Sequence, residues 1–168
     1  MTVERRARRF SSLKLEGVAR RLMNASFLCS LATVTPGGRA HINHMYFAWN
    51  DRYEVFWYSD PKSLHSRNLD RSSTAAVTIY DSRQVNGRPD RGIQLFGRAG
   101  VATGDEARRV YTRKFRGLDP SGFTAYRFRA RTVKLFDEPA FGPATFVTAR
   151  VTRDGLVWAK TEVITVGR

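Results

Sequence analysis

The sequence predicts a mainly β domain of the α+β class: an antiparallel barrel of short strands flanked by helices. Three observations point there. Six or more short apolar or alternating segments are joined by tight turns rich in Gly, Pro, Asn and Asp, only two or three segments carry helical spacing, and the signatures of doubly wound nucleotide folds are missing. No G-x-G-x-x-G follows a first strand, and there is no Walker A loop.

Taken in order, residues 4–25 place Leu13, Val18, Leu22 and Met23 at helical spacing, which predicts an N-terminal helix. "FLCSLATVT" (27–35) is rich in strand formers and ends at Pro36-Gly37-Gly38, after which "RAHINHMYFAW" resumes, so a hairpin is expected. Asn50-Asp51-Arg52 marks a second turn and "YEVFWYS" a third strand, giving a three-stranded meander. A short helix from about Lys62 to Leu69 follows, then the strand "TAAVTIYD", the polar loop "SRQVNGRPDR" and the strand "GIQLFGRAGVATG". Three glycines inside that strand predict bending or close approach of another backbone. Asp105 is placed to cap the helix "EARRVYTRKFRG", which Gly117 ends. In "AYRFRARTVKLFD", Arg127, Arg129 and Arg131 alternate with Tyr126, Phe128 and Ala130, so one face is basic and the other apolar. "ATFVTARVT", the turn Arg153-Asp154-Gly155 and "LVWAKTEV" form a closing hairpin.

A chain of 168 residues with 42% hydrophobic content supports one core, so a single domain over 1–168 is expected, with residues 1–25 as a helical extension. The lone Cys29 lies in an apolar run, which predicts a buried thiol in a reducing compartment. The basic N-terminus is followed by no apolar signal-peptide core, and no stretch is long enough to span a bilayer, so a cytoplasmic protein without membrane contact is expected. The 29 Lys and Arg against 15 Asp and Glu give a net charge of +14, a field attractive to phosphates, nucleic acid and acidic partners.

Few residues are arranged for catalysis. His41 and His44 are three apart in a strand and point to opposite faces, which argues against a shared metal, and no metal site is predicted. Ser63 and His65 lack the nucleophile elbow and the orienting acid of a hydrolase. The stretch "YSDPKSLHSRNLD" (58–70) is more informative. Ser59 ends a strand, and Ser63 and His65 open a helix, so a phosphate there would meet a helix dipole, hydroxyls and an imidazole together. Simple capping of the helix by Ser59 or Asp60 is the competing reading.

Three segments in order, "LATVTPGGRAHINHMYFAW", "VFWYSDPKSLHSRNLDRSSTAAVTIY" and "GIQLFGRAGVATGDEARRVYTRKF", resemble the pyridoxamine-5′-phosphate-oxidase-like family of flavin-binding split barrels. The resemblance implies a six-stranded split barrel, a homodimer, and flavin mononucleotide (FMN) held where two copies meet. It places Asn43, His44 and Met45 along the isoalloxazine, with Tyr58 and Ser59 on the next strand edge. Ser63 and His65 would grip the phosphate, Asn68 would pack the helix, and Gln94 would contact the flavin. The family has basic residues where this chain has Leu64 and His65, so phosphate binding is expected to be weaker and pH-sensitive, with arginines 67, 127, 129 and 131 as compensation. "VTRDGLVWAKTEV" lacks the arginine–histidine pair of true pyridoxamine phosphate oxidases, so oxidation of vitamin B6 is not expected.

The leading expectation is therefore an FMN-dependent oxidoreductase acting on a small molecule, with no catalytic acid or base assigned. A deazaflavin on the same barrel is the alternative, since an acidic tail would suit the +14 surface. A haem-binding version is a third, weakened by the presence of only three histidines. From another class, the basic segments 108–116 and 127–131 could bind nucleic acid, but no recognised binding motif supports it.

Overall fold

The computed structural model describes residues 2–81 and 83–165; Met1, Ser82 and residues 166–168 of the expected domain lie outside the described residues. Its elements run β1 (Thr2–Arg6), α1 (Ser12–Met23), β2 (Leu28–Val34), β3 (Ala40–Tyr46), β4 (Ala48–Trp49), β5 (Glu54–Ser59), α2 (Leu64–Arg71) and β6 (Thr74–Tyr80). They continue with β7 (Arg91–Val101), α3 (Glu106–Lys114), β8 (Thr124–Asp137), α4 (Glu138–Phe141), β9 (Thr145–Thr152) and β10 (Gly155–Thr165). This mostly antiparallel sheet with helices matches the expected split-barrel class. Among the described residues it has ten strands rather than six and does not close, because β1 and β3 each have one neighbour. No described helix is long and apolar enough to cross a membrane.

The chain divides into two compact units. The first comprises Met1–Ser26, Thr78–Leu95 and Arg131–Arg168, with strand order β1-β10-β9-β8. Its helix starts later than the sequence suggested. Residues 2–6 are arginine-rich and carry no apolar stripe, and they pair with β10 from Thr2↔Thr165 to Arg6↔Thr161. The helix begins only where Ser11 caps it by accepting from the Lys14 N–H at 3.3 Å. From there Leu15, Val18, Ala19, Leu22 and Met23 form a buried stripe at three- and four-residue spacing. The closing hairpin is as expected, with a bulge between Trp158 and Lys160. Gly155 opens β10 at φ +116°, where a Cβ would run into the Glu16 carboxylate that accepts from the Leu156 N–H at 3.2 Å.

The second unit comprises Phe27–Val77 and Phe96–Ala130. β2 and β3 form the expected hairpin, in register from Leu28↔Tyr46 to Val34↔Ala40. The meander forms in part: β5 pairs across the predicted turn with β4, the end of the expected second strand, but not with β3, and it pairs on its other side with β8, from Glu54↔Arg129 to Ser59↔Thr124. The reason is compositional. Glu54 to Trp57 are buried without alternation, so β5 needs partners on both sides, and a tight turn at Asn50–Tyr53 supplies β4. Asn50 Oδ1 accepts from the Arg52 and Glu54 N–H groups, holding that turn together.

The expected alternation of β8 holds for its first half, where Tyr126 and Phe128 are buried, while Arg129 and Arg131 are exposed. The buried phase then moves to odd positions, Val133, Leu135 and Asp137, a one-residue slip that reverses which face is apolar. The expected close approach of another backbone in β7 is found at Gly97, where a Cβ would overlap the Arg129 carbonyl oxygen; at Gly92 the neighbour is the Phe136 side chain, and Gly100 faces open space.

Candidate functional site

Eight of the nine residues expected around a cofactor fall in the second unit, and the ninth, Gln94, is half-buried on β7 in the first. The best-defined cluster joins the end of β5 to the start of α2. Ser59 Oγ lies 2.7 Å from His65 Nε2, and Ser63 Oγ lies 3.1 Å from the same nitrogen. Ser63 Oγ also donates to Ser66 Oγ at 2.8 Å, so both serines and the ring nitrogen share one hydrogen-bonded cluster. His65 and Ser66 are buried, and Ser63 is half-buried.

Local sequence explains the arrangement. Asp60 Oδ1 accepts from the Lys62 N–H at 2.7 Å, closing a turn that ends β5 and brings Ser63 to the N-cap of α2. Neither Ser59 nor Asp60 caps the helix. Ser63 occupies the cap position yet makes no side-chain bond to the first-turn N–H groups, because its hydroxyl is turned toward His65 and Ser66. A helix N-terminus with uncommitted N–H groups, three hydroxyls and an imidazole is a set of donors suited to an anion.

Burial is the main cause holding the His65 pKa below its ordinary 6.5, and the nearby charge of His41 adds to it. His41 is half-buried on β3, and its Nδ1 is buried with no partner. Period-two alternation puts His41, Asn43 and Met45 on the half-buried face of β3, and Ile42, His44 and Tyr46 on the exposed one. The structure therefore separates His44 from Asn43 and Met45. His44 Nδ1 instead sits 2.9 Å from Ser30 Oγ, while Asn43 Nδ2 donates to the His44 carbonyl. His41 and Ser66 were not among the expected site residues. The strand alternation and the three-residue spacing of Ser63 and Ser66 are the signals that could have found them.

The remaining expected residues have structural contacts. Asn68 is buried and donates to Thr33 Oγ1 at 3.0 Å, tying α2 to β2, while its own Oδ1 is buried without a partner. Tyr58 is half-buried and packs edge-on to Tyr111 with centroids 5.0 Å apart; burial raises its pKa against the opposing charge of Arg108. Of the arginines expected to compensate at the phosphate, Arg129 Nε lies 3.3 Å and Arg127 Nη1 3.9 Å from Glu54 Oε1, so both are engaged by a buried carboxylate. Cys29 is buried, and burial pushes its thiol up to about 12. Among the described residues no three His, Cys, Asp or Glu side chains gather to hold a metal.

Among curated protein sequences, none is significantly similar to this chain. Solved structures share its fold at low identity. A conserved hypothetical protein of Mycobacterium tuberculosis superposes with a TM-score of 0.62 at 21% identity, over 82% of this chain and 91% of that one. A heme-binding protein of Mycobacterium smegmatis gives 0.60 at 15%, over 94% and 89%. A Clostridium acetobutylicum protein of the pyridoxinephosphate oxidase family, related to general stress protein 26 of B. subtilis, gives 0.60 at 14%, over 84% and 97%. The family model for pyridoxamine 5′-phosphate oxidase matches residues 15–137, which take in both strands of the first hairpin, the β5–α2 cluster and all of β8. With most of its length covered by that match, the chain belongs to the pyridoxamine 5′-phosphate oxidase family.

Proposed function

We propose that this protein binds FMN as a homodimer and acts as a flavin-dependent oxidoreductase on a small molecule other than a B6 vitamer. The observation that carries the reading is the donor cluster at the start of α2, where Ser63 leaves the first-turn N–H groups uncapped and Ser59, Ser63 and His65 converge within 3.1 Å. A phosphate dianion meets there the positive end of a helix dipole and hydroxyl and imidazole donors. Asn68 fixes α2 on β2 through Thr33 and so sets the position of that first turn. The half-buried Asn43, Met45 and Tyr58 are the residues proposed to line the ring. When bound, the isoalloxazine supplies hydride and single-electron chemistry that no side chain of this protein provides.

Family membership supports the choice of flavin, and β10 carries no arginine–histidine pair for a pyridoxamine phosphate. The test is titration of the purified protein with FMN, followed by quenching of tryptophan fluorescence and by melting temperature. Saturable binding that Ser63→Ala/His65→Ala weakens about tenfold or more supports it. Protein that leaves FMN free at every concentration sinks it.

Two other cofactors have specific support. The +14 charge favours a deazaflavin with an acidic tail, and the likeness to the mycobacterial heme-binding protein, with His44 exposed on β3, favours haem. Absorbance and emission spectra with each cofactor separate the three, because haem gives a Soret band without flavin fluorescence, and a deazaflavin absorbs at shorter wavelength than FMN.

A further inference from the structure

We propose that the first unit carries a second ligand site, for a small organic phosphomonoester, between the C-terminal turn of α1 and the loop 83–91. It goes beyond the flavin reading and does not depend on it. A cavity of about 440 Å³ opens there, a size that suits a mononucleotide-sized molecule. Four arginines line it: Arg21 from α1, and Arg83, Arg88 and Arg91 from the loop and the start of β7. Leu22, Val85 and Pro89 add an apolar wall.

The charge balance selects the ligand. Arg21 Nη2 pairs with Asp137 Oδ2 at 2.7 Å, and Arg83 Nη2 pairs with Asp81 Oδ2 at 2.9 Å. Among the described residues, Arg88 and Arg91 have no carboxylate within ion-pair distance. Arg21 and Arg83 are offset by Asp137 and Asp81, so Arg88 and Arg91 are the guanidinium groups left to meet a doubly charged phosphomonoester, with the Asp90 carboxylate of the same loop opposing part of their field. Guanidinium forks bind phosphate oxygens in pairs, and the apolar wall would cover the organic part of the ligand.

The site is also held in place. Asp137 is fully buried, so it fixes Arg21 from beneath while the guanidinium stays half-exposed. The loop is braced by Gln84 N–H to the Asp81 carbonyl, Arg88 N–H to the Val85 carbonyl, and Arg91 N–H to Gln84 Oε1 at 2.6 Å. Its far end is tied to α4 by reciprocal bonds between Asp90 and Glu138. These bonds fix the backbone from which Arg88 and Arg91 project, so only their side chains have to be ordered when a ligand arrives. A nucleic-acid backbone would need a continuous basic track, whereas these arginines surround a pocket with an apolar side.

The test is calorimetric titration with adenosine 5′-monophosphate, adenosine and a single-stranded DNA 12-mer. The wild type is compared with Arg88→Gln/Arg91→Gln and with the charge-matched control Arg150→Gln/Arg153→Gln. We expect saturable binding of the monophosphate, none of adenosine, and weakening by about tenfold or more in the Arg88/Arg91 variant only. FMN is itself a phosphomonoester, so its binding at the α2 cluster is read as the part that Ser63→Ala/His65→Ala removes; that part should be the same in all three proteins, and its absence leaves the monophosphate result standing. Equal weakening in the control would assign the binding to the general positive field, and tight binding of adenosine would remove the role of the phosphate. Stronger binding of the 12-mer through the same arginines would make the surface a nucleic-acid contact. Each of these three results overturns the proposal.

Discussion

Ser59 Oγ sits 2.7 Å from Nε2 of His65, so the last residue of β5 and the first turn of α2 share one hydrogen-bonding centre. The imidazole is buried, and its burial together with the His41 charge disfavours the imidazolium. The unfolded imidazole takes up a proton near its ordinary 6.5, whereas the folded one does so only at lower pH. Between those two values the unfolded chain holds more protons, so His65 makes stability fall as pH drops through that window and levels off below the folded pKa. Urea midpoints across the window should show this slope, and His65→Gln should flatten it. Inorganic phosphate, by stabilising the imidazolium, should raise the His65 titration followed by NMR. An upward folded pKa without ligand would contradict the burial argument.

Gly97 and Gly100 lie on the same strand but differ in their surroundings. A Cβ on Gly97 would overlap the Arg129 carbonyl oxygen, a backbone atom that cannot rotate away, while a Cβ on Gly100 meets nothing within 4 Å. Gly97→Ala should therefore destabilise by about 1–3 kcal/mol, the range of overpacked cores, and Gly100→Ala should be near neutral. Urea unfolding with an unchanged slope is the measurement. Equal effects at the two positions would mean that backbone entropy, and not the close approach, governs this strand.

Much of the fold was legible because its signals are local. Turn residues at 36–38 and 153–155, the strand formers of β2, period-two alternation in the first half of β8, and the helical spacing of Val18, Leu22 and Met23 each determine an element within a few residues, whereas Leu13, read with that stripe, is exposed. Partner choice was not local. Nothing in "YEVFWYS" says that, beyond its short pairing with Ala48–Trp49, it also takes residues 124–129 as a partner; only its continuous burial requires two neighbours. The slip of β8 from even to odd buried positions was hidden for a similar reason, since "RARTVK" reads smoothly in either phase. At the site, Ser59, Ser63 and His65 were found from their position at a helix start. His41 was missed because its relevance comes from a neighbouring charge in space, far from it in sequence.

Lys114 and Cys29 perturb each other across one apolar cluster, and their pKa shifts give stability an alkaline signature. Burial lowers Lys114, whose Nζ lies 3.9 Å from the Phe47 ring centroid, from 10.5 to about 8, and it raises Cys29 from 9.0 to about 12. Above pH 8 the folded lysine has lost a proton that the unfolded one keeps up to 10.5, so this group makes stability rise over that interval. The thiol acts in the opposite direction between 9.0 and about 12, because only the unfolded form ionises there. Stability should therefore climb from pH 8 to 9, flatten, and decline above 10.5. Lys114→Gln should remove the climb and leave the decline. The same burial predicts that a thiol reagent modifies Cys29 only after unfolding.

Asn68 Nδ2 donates to Thr33 Oγ1 at 3.0 Å, and this buried bond fixes where the first turn of α2 stands against β2. Thr33→Val keeps the shape but leaves the Asn68 amide without an acceptor, which should cost about 1–3 kcal/mol. The double variant Thr33→Val/Asn68→Leu removes both partners and should recover part of that loss, giving a coupling energy of about 1 kcal/mol in a double-mutant cycle. Because α2 carries Ser63 and His65, Thr33→Val should also weaken FMN binding although Thr33 is not among the residues proposed to touch it. The two readouts can separate: a variant that is destabilised yet binds FMN with unchanged affinity would show that α2 keeps its place without this bond. The positioning role would then belong to the packing of Leu69, which is also buried on α2.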